Sequence, residues 1–116
     1  MSQPNIVRSV HLDEEIDRYP VRTPSGRRSE ILVKTPTLRV VLVTMTAGTE
    51  SQEHAVEGTI TIQALRGRFD IVIDDVAHPV PAGDLFALEG GVRHAVRAVE
   101  DGAFLLTIPW HGSAES

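Results

Sequence analysis

Gly48-Thr49-Glu50-Ser51-Gln52-Glu53-His54 begins the stretch on which the fold turns, and it runs on through Val56 and Ile60 to Gly67. Five residues separate Gly48 from His54, and twelve separate His54 from Gly67. A second spaced set follows in Gly83, Gly91 and His94, with seven residues between the two glycines and two between Gly91 and His94. The intervals are filled by short runs rich in Val, Ile, Leu and Thr, each closed by Gly, Pro or Asp, the pattern of strands joined by turns. Glycine suits such turns because it takes positive φ without a Cβ penalty.

Outward from these landmarks the same texture covers most of the chain. Strands are predicted at 30–35, 38–46, 52–56, 59–66, 68–74, 76–80, 84–88, 93–99 and 103–109. Arg68-Phe69-Asp70-Ile71-Val72-Ile73-Asp74 alternates as a sheet with two different faces should, and so does Thr59-Ile60-Thr61-Ile62. Leu38 to Met45 is apolar almost throughout, which suits a strand buried on both faces. No stretch carries a sustained 3.6-residue period. Many short strands at near-even spacing predict an all-β sandwich or barrel. Residues 1–29, interrupted by Pro4, Pro20 and Pro24, are expected to be irregular, with at most a short helical turn at Asp13-Glu14-Glu15-Ile16. The expected organisation is therefore an irregular segment 1–29, one barrel over 30–110 and a tail 111–116.

Composition bounds the function. A chain of 116 residues fits one domain, and 41% hydrophobic with 23% charged residues is ordinary for a globular protein. The absence of cysteine excludes disulfides, thiolate metal sites and a cysteine nucleophile. No apolar run approaches the ~20 residues of a membrane span. Met1-Ser2-Gln3-Pro4 lacks the layout of a signal peptide, so a cytoplasmic location is expected. The net charge of -5 argues against binding nucleic acid through its phosphates. One local exception, Arg22, Arg27, Arg28, Lys34 and Arg39, reads either as a solvated loop and strand edge or as a rim for an acidic ligand or partner. Neither a dinucleotide fingerprint nor a phosphate-loop lysine is present.

The two spaced motifs resemble those of the cupin superfamily. Its first motif runs Gly, five residues, His-x-His, three or four residues, Glu, six residues, Gly; its second runs Gly, five residues, Pro-x-Gly, two residues, His, three residues, Asn. The spacings fit 48–67 and 83–98 without a gap, and the resemblance covers roughly residues 30–109. It implies an antiparallel double-stranded β-helix, a jelly-roll barrel whose interior holds a metal or a small molecule. It also implies a homodimer, since small cupins often pair through a sheet face or exchanged N-terminal strands. Period-two alternation explains the His-x-His, because both imidazoles then reach one face of a strand.

Matched position by position, the family's ligands fall on His54 and His94, but also on Val56 and Ile60. Glu89 stands at the second motif's Pro, and Ala98 at its Asn. Val and Ile cannot coordinate a cation, and two imidazoles fall short of the three protein ligands of a catalytic zinc site or the two-His-one-carboxylate set of iron. Gln52, two residues before His54, would share its face on a regular strand and is the one candidate third ligand. Gln63, Glu53 and Glu57 have the wrong parity, and His11, His78 and His111 lie outside the motif positions. The expected site is thus an apolar pocket around His54, His94, Val56 and Ile60, with either no metal or a weakly bound divalent transition metal.

Three functions follow. The first is binding of a small molecule, a carbonyl, phenol or carboxylate oriented by the imidazoles. The second is an enzyme: a metal-dependent dioxygenase or isomerase using His54, His94 and an additional ligand such as Gln52, or a metal-free epimerase with His as base, for which the single tyrosine, Tyr19, lies outside the motifs. The third is a structural module with a vestigial pocket.

Overall fold

A computed structural model describes residues 5–21 and 23–110; Arg22 and His111 lie outside the described residues. Among the described residues one helix precedes eight strands: α1 (Leu12–Arg18), β1 (Arg27–Lys34), β2 (Leu38–Met45), β3 (Ile60–Arg66), β4 (Arg68–Ile73), β5 (Val76–Pro81), β6 (Leu85–Leu88), β7 (Ala95–Ala98) and β8 (Gly102–Pro109). The strands form a five-stranded sheet ordered β1-β2-β8-β3-β6 and a three-stranded sheet ordered β5-β4-β7. Every pairing is antiparallel. The jelly roll is thus two facing sheets and not the closed barrel expected: β1 and β6 end one sheet, β5 and β7 the other. No described helix is long and apolar enough to cross a membrane.

The main core lies between the sheets, where alternation sends Val43 and Met45 of β2, Ile60, Ile62 and Ala64 of β3, Phe69 and Ile71 of β4, and Phe104 of β8. A second cluster lies on the outer face of the larger sheet, where Ile16 of α1 packs on Leu32, Leu42 and Ala103. The two clusters together explain why β2 is apolar at nearly every position: each face meets a different core.

The expectation that residues 1–29 are irregular needs correcting at both α1 and the start of β1. In Leu12-Asp13-Glu14-Glu15-Ile16-Asp17-Arg18 the three acids fall in the first turn and Arg18 in the last, both favourable to the helix dipole. Leu12 and Ile16 stand at i, i+4 and share the face that meets the sheet. Seven residues are too few for a helical period to emerge from the sequence alone. Burial of Ile16 (8% exposed) contributes on the order of 1.5–3 kcal/mol. Arg66 reaches Asp17 at 2.9 Å and Asp13 at 3.3 Å, and Arg28 stacks on Tyr19 at 4.7 Å. Those partly exposed ion pairs orient the helix more than they stabilise it.

The basic run is not uniformly solvated. Arg39 is buried, stacks on Trp110 at 4.2 Å and donates to the carbonyls of Thr35 and Leu38. Its parity with Val41 and Val43 carries it inward at the end of the sheet.

The predicted strand 52–56 is a further correction. Residues 48–56 run antiparallel to 91–98, but the ladder is irregular. Its bonds include Gly48 N–H to Ala98 O at 2.8 Å, Ser51 N–H to Val96 O at 2.8 Å and Gly91 N–H to Val56 O at 2.9 Å. Isolated bridges pair Glu50 with Arg97 and His54 with His94, four residue steps on one side against three on the other. One extra residue therefore lies between the bridges, as in a β-bulge, at Gln52-Glu53.

Candidate functional site

That bulge decides which side chains meet. A regular strand would put Gln52 and His54 on one face, but an inserted residue reverses the parity. Ser51, His54 and Val56 consequently line the space between the sheets, whereas Gln52 lines only a neighbouring outer groove with Glu50 and Glu53. Gln52 contributes its backbone carbonyl instead, which accepts a hydrogen bond from His54 Nδ1 at 3.0 Å.

His54 and His94 face one another directly. Each backbone N–H donates to the other's carbonyl at 2.9 Å, an arrangement that sets the two residues side by side. Their ring centroids lie 4.6 Å apart with planes inclined by 48°. His94 Nδ1 meets the carbonyl of Val92 at 3.1 Å, just as His54 Nδ1 meets that of Gln52. A carbonyl only accepts, so in each ring Nδ1 carries the proton. When neutral, each Nε2 is then left with a free lone pair. The sequence could suggest the pairing of the two histidines but not their shared tautomer, which follows from carbonyls two residues upstream of each.

His94 is 2% exposed, while His54 is open to solvent. Burial pushes the His94 imidazole below its ordinary value of 6.5; the Val92 carbonyl opposes this, and His54 reinforces it by charge repulsion. The native state therefore prefers neutral His94. Its contribution to stability is complete above pH 6.5 and declines as pH falls from there towards the lowered native value, because the unfolded chain takes the proton first. Urea unfolding at several pH values between 5 and 7.5 should show a smaller loss on acidification in His94→Phe than in the parent. Equal losses in both proteins would refute the linkage to His94.

The rings open onto a cavity of about 220 Å³. Val56, Ile60, Ile62, Val96, Phe104, Leu106 and Ile108 form its apolar wall. Arg27 and Ser51 join His54 where the cavity adjoins the outer groove, since these three residues line both. The structure thus brings together His54, His94, Val56 and Ile60 and leaves Gln52 outside. Sequence reasoning missed Ser51, whose inward face depends on the bulge, and placed Arg27 among basic residues with no reason to single it out. His78 lies exposed on β5, its ring 6.3 Å from that of Phe86, away from the cavity.

Two facing antiparallel sheets, with motif-spaced glycines at the turns and two inward histidines, define a jelly-roll domain with an interior cavity. The chain belongs to the cupin family: the Cupin domain model matches residues 41–109, more than half its length. No curated sequence is significantly similar to it. Among solved structures, it is similar to a cupin superfamily protein from Desulfitobacterium hafniense (17% identity over 81% of this chain and 85% of that one, TM-score 0.74). A conserved protein of unknown function from Streptococcus pyogenes is 23% identical over 94% of this chain and 92% of its own, with a TM-score of 0.74. An RmlC-like cupin from Desulfovibrio desulfuricans is 28% identical over 94% and 96%, with a TM-score of 0.67.

The metal that this family often carries does not fit the residues present. His54 and His94 supply two nitrogen donors, while Val56 and Ile60 occupy the remaining ligand positions with hydrocarbon. Among the described residues no three His, Cys, Asp or Glu side chains cluster as a metal site. A catalytic site needs at least a third protein ligand.

Proposed function

We propose that the cavity binds one compact small molecule, held by its apolar wall and by a hydrogen-bond donor placed on the paired histidines, without a tightly bound metal. The observation that carries this reading is the pair of imidazoles lining a space of about 220 Å³, each with its Nδ1 engaged by a backbone carbonyl and its Nε2 free to accept when the ring is neutral. A dry apolar cavity of about 150 Å³ accepts benzene, so this one has room for a single ring with substituents. Two acceptors favour a phenol or alcohol over the carbonyl also expected, because a carbonyl would meet lone pair with lone pair. A metal-dependent dioxygenase or isomerase would need a third ligand such as Gln52, and the place of Gln52 in the outer groove argues against its serving as one.

Two measurements test the proposal together. Calorimetric titration with phenol and small alkylphenols should give binding that falls about tenfold or more in His54→Ala and in His94→Ala, the loss of a buried hydrogen bond. Metal analysis after incubation with Fe²⁺, Mn²⁺, Ni²⁺ or Zn²⁺ should find far less than one ion per chain. Stoichiometric metal lost in both variants would overturn the proposal and redirect attention to oxygenase and isomerase assays. Phenol binding indifferent to both histidines would overturn it as well.

A further inference from the structure

The polar groups of the cavity are sorted by kind. His94 is buried within the cavity, and His54 stands beside Arg27 and Ser51 at its mouth, where it meets the outer groove. The histidines present acceptors when neutral, whereas Arg27 and Ser51 are donors. Ser51 Oγ accepts from the Val96 N–H at 2.9 Å, which leaves the hydroxyl proton free to donate. Arg27, at the start of β1, lines both the cavity and the outer groove. Its guanidinium has no acidic partner among the described residues.

The carboxylates of the groove are otherwise engaged. Glu53 pairs with Arg93 at 3.2 Å, and Glu50 with Arg97 at 3.6 Å. Arg97 also holds Asp70 at 3.3 Å. The mouth therefore offers one uncommitted cation beside a hydroxyl donor, at the edge of an apolar chamber. The preceding turn sets the backbone from which Arg27 extends. Gly26 has φ +72°, its carbonyl accepts from Thr46 N–H at 2.9 Å, and a Cβ on it would run into the Thr46 and Thr49 hydroxyls.

We infer that the ligand is a small hydroxy acid with an apolar body, its hydroxyl donated to one Nε2 of the His54–His94 pair and its carboxylate held at the mouth by Arg27 and Ser51. The inference rests on the proposed cavity function and adds the ligand's charge and orientation. Arginine suits the carboxylate because its planar fork supplies parallel donors.

The test compares 2-, 3- and 4-hydroxybenzoate with the matching neutral hydroxybenzamides by calorimetry, in the parent, Arg27→Gln and Arg27→Lys. At least one acid should bind about tenfold or more tighter than its amide, as expected for a charge-assisted hydrogen bond. That preference should shrink as salt is raised, fall to near one in Arg27→Gln and persist in part in Arg27→Lys. Amides binding as well as acids, or a preference untouched in Arg27→Gln, would overturn the inference while phenol binding left the cavity function standing. Failure of acids, amides and phenols alike would overturn both.

Discussion

Truncating Phe69 to alanine is expected to cost about 3–5 kcal/mol, enough to leave a small domain marginal or unfolded. Phe69 is 0% exposed at the centre of the core between the sheets. Its ring meets that of Phe104 edge to face, with centroids 5.0 Å apart and planes at 80°. Phe104 in turn forms part of the cavity wall. The loss combines buried area, a void that β-sheet backbones cannot close, and an aromatic pair. Urea denaturation monitored by far-UV circular dichroism gives the value directly. A loss below about 1 kcal/mol would mean that the sheets do not meet at this ring. Because Phe104 would lose its support, ligand binding should weaken in any folded fraction, although Phe69 itself does not line the cavity.

Gly67→Ala should be nearly as damaging, at about 2–5 kcal/mol from left-handed strain and overpacking together. Gly67 is the single residue between β3 and β4, where the chain leaves one sheet for the other, and its φ is +75°. An added Cβ would stand 2.4 Å from the Asp101 carbonyl oxygen and 2.9 Å from Gly102 Cα. Both are backbone atoms and cannot swing aside. Gly83 is the control: its φ is +96°, but a Cβ there would meet nothing within 4 Å. Gly83→Ala should cost only the strain, about 1–2 kcal/mol. Comparison of the two unfolding midpoints decides the matter, and equal effects would show that positive φ alone matters at both turns. The glycines look equivalent in the sequence, and only the packing separates a turn with room from a turn pressed against β8.

That contrast marks the limit of what the residues reveal by themselves. The spacing of Gly48, His54 and Gly67 with Gly83, Gly91 and His94 is enough for the family and for two inward histidines. The alternation of Phe69, Asp70 and Ile71 orients β4 correctly. What stayed hidden are features that depend on one residue more or less. The bulge at Gln52-Glu53 has no local signature, yet it replaces Gln52 by Ser51 in the cavity wall. Helix α1 is too short to show a period, and its reason for forming is the outer face of β2 and β8, distant in sequence. Arg27 and Arg39 look alike as members of a basic run. One reaches the mouth of the cavity and the other is covered by Trp110, a difference set by strand parity and by what lies across the sheet.

The reciprocal amide bonds between His54 and His94 tie the two imidazoles to the seam that holds 48–56 against 91–98. Prising that seam open would widen the way in, and it would separate the two rings in the same motion. A ligand bridging both rings would act as a rivet between the two segments, so occupancy of the cavity and closure of the fold at this edge would rise and fall together.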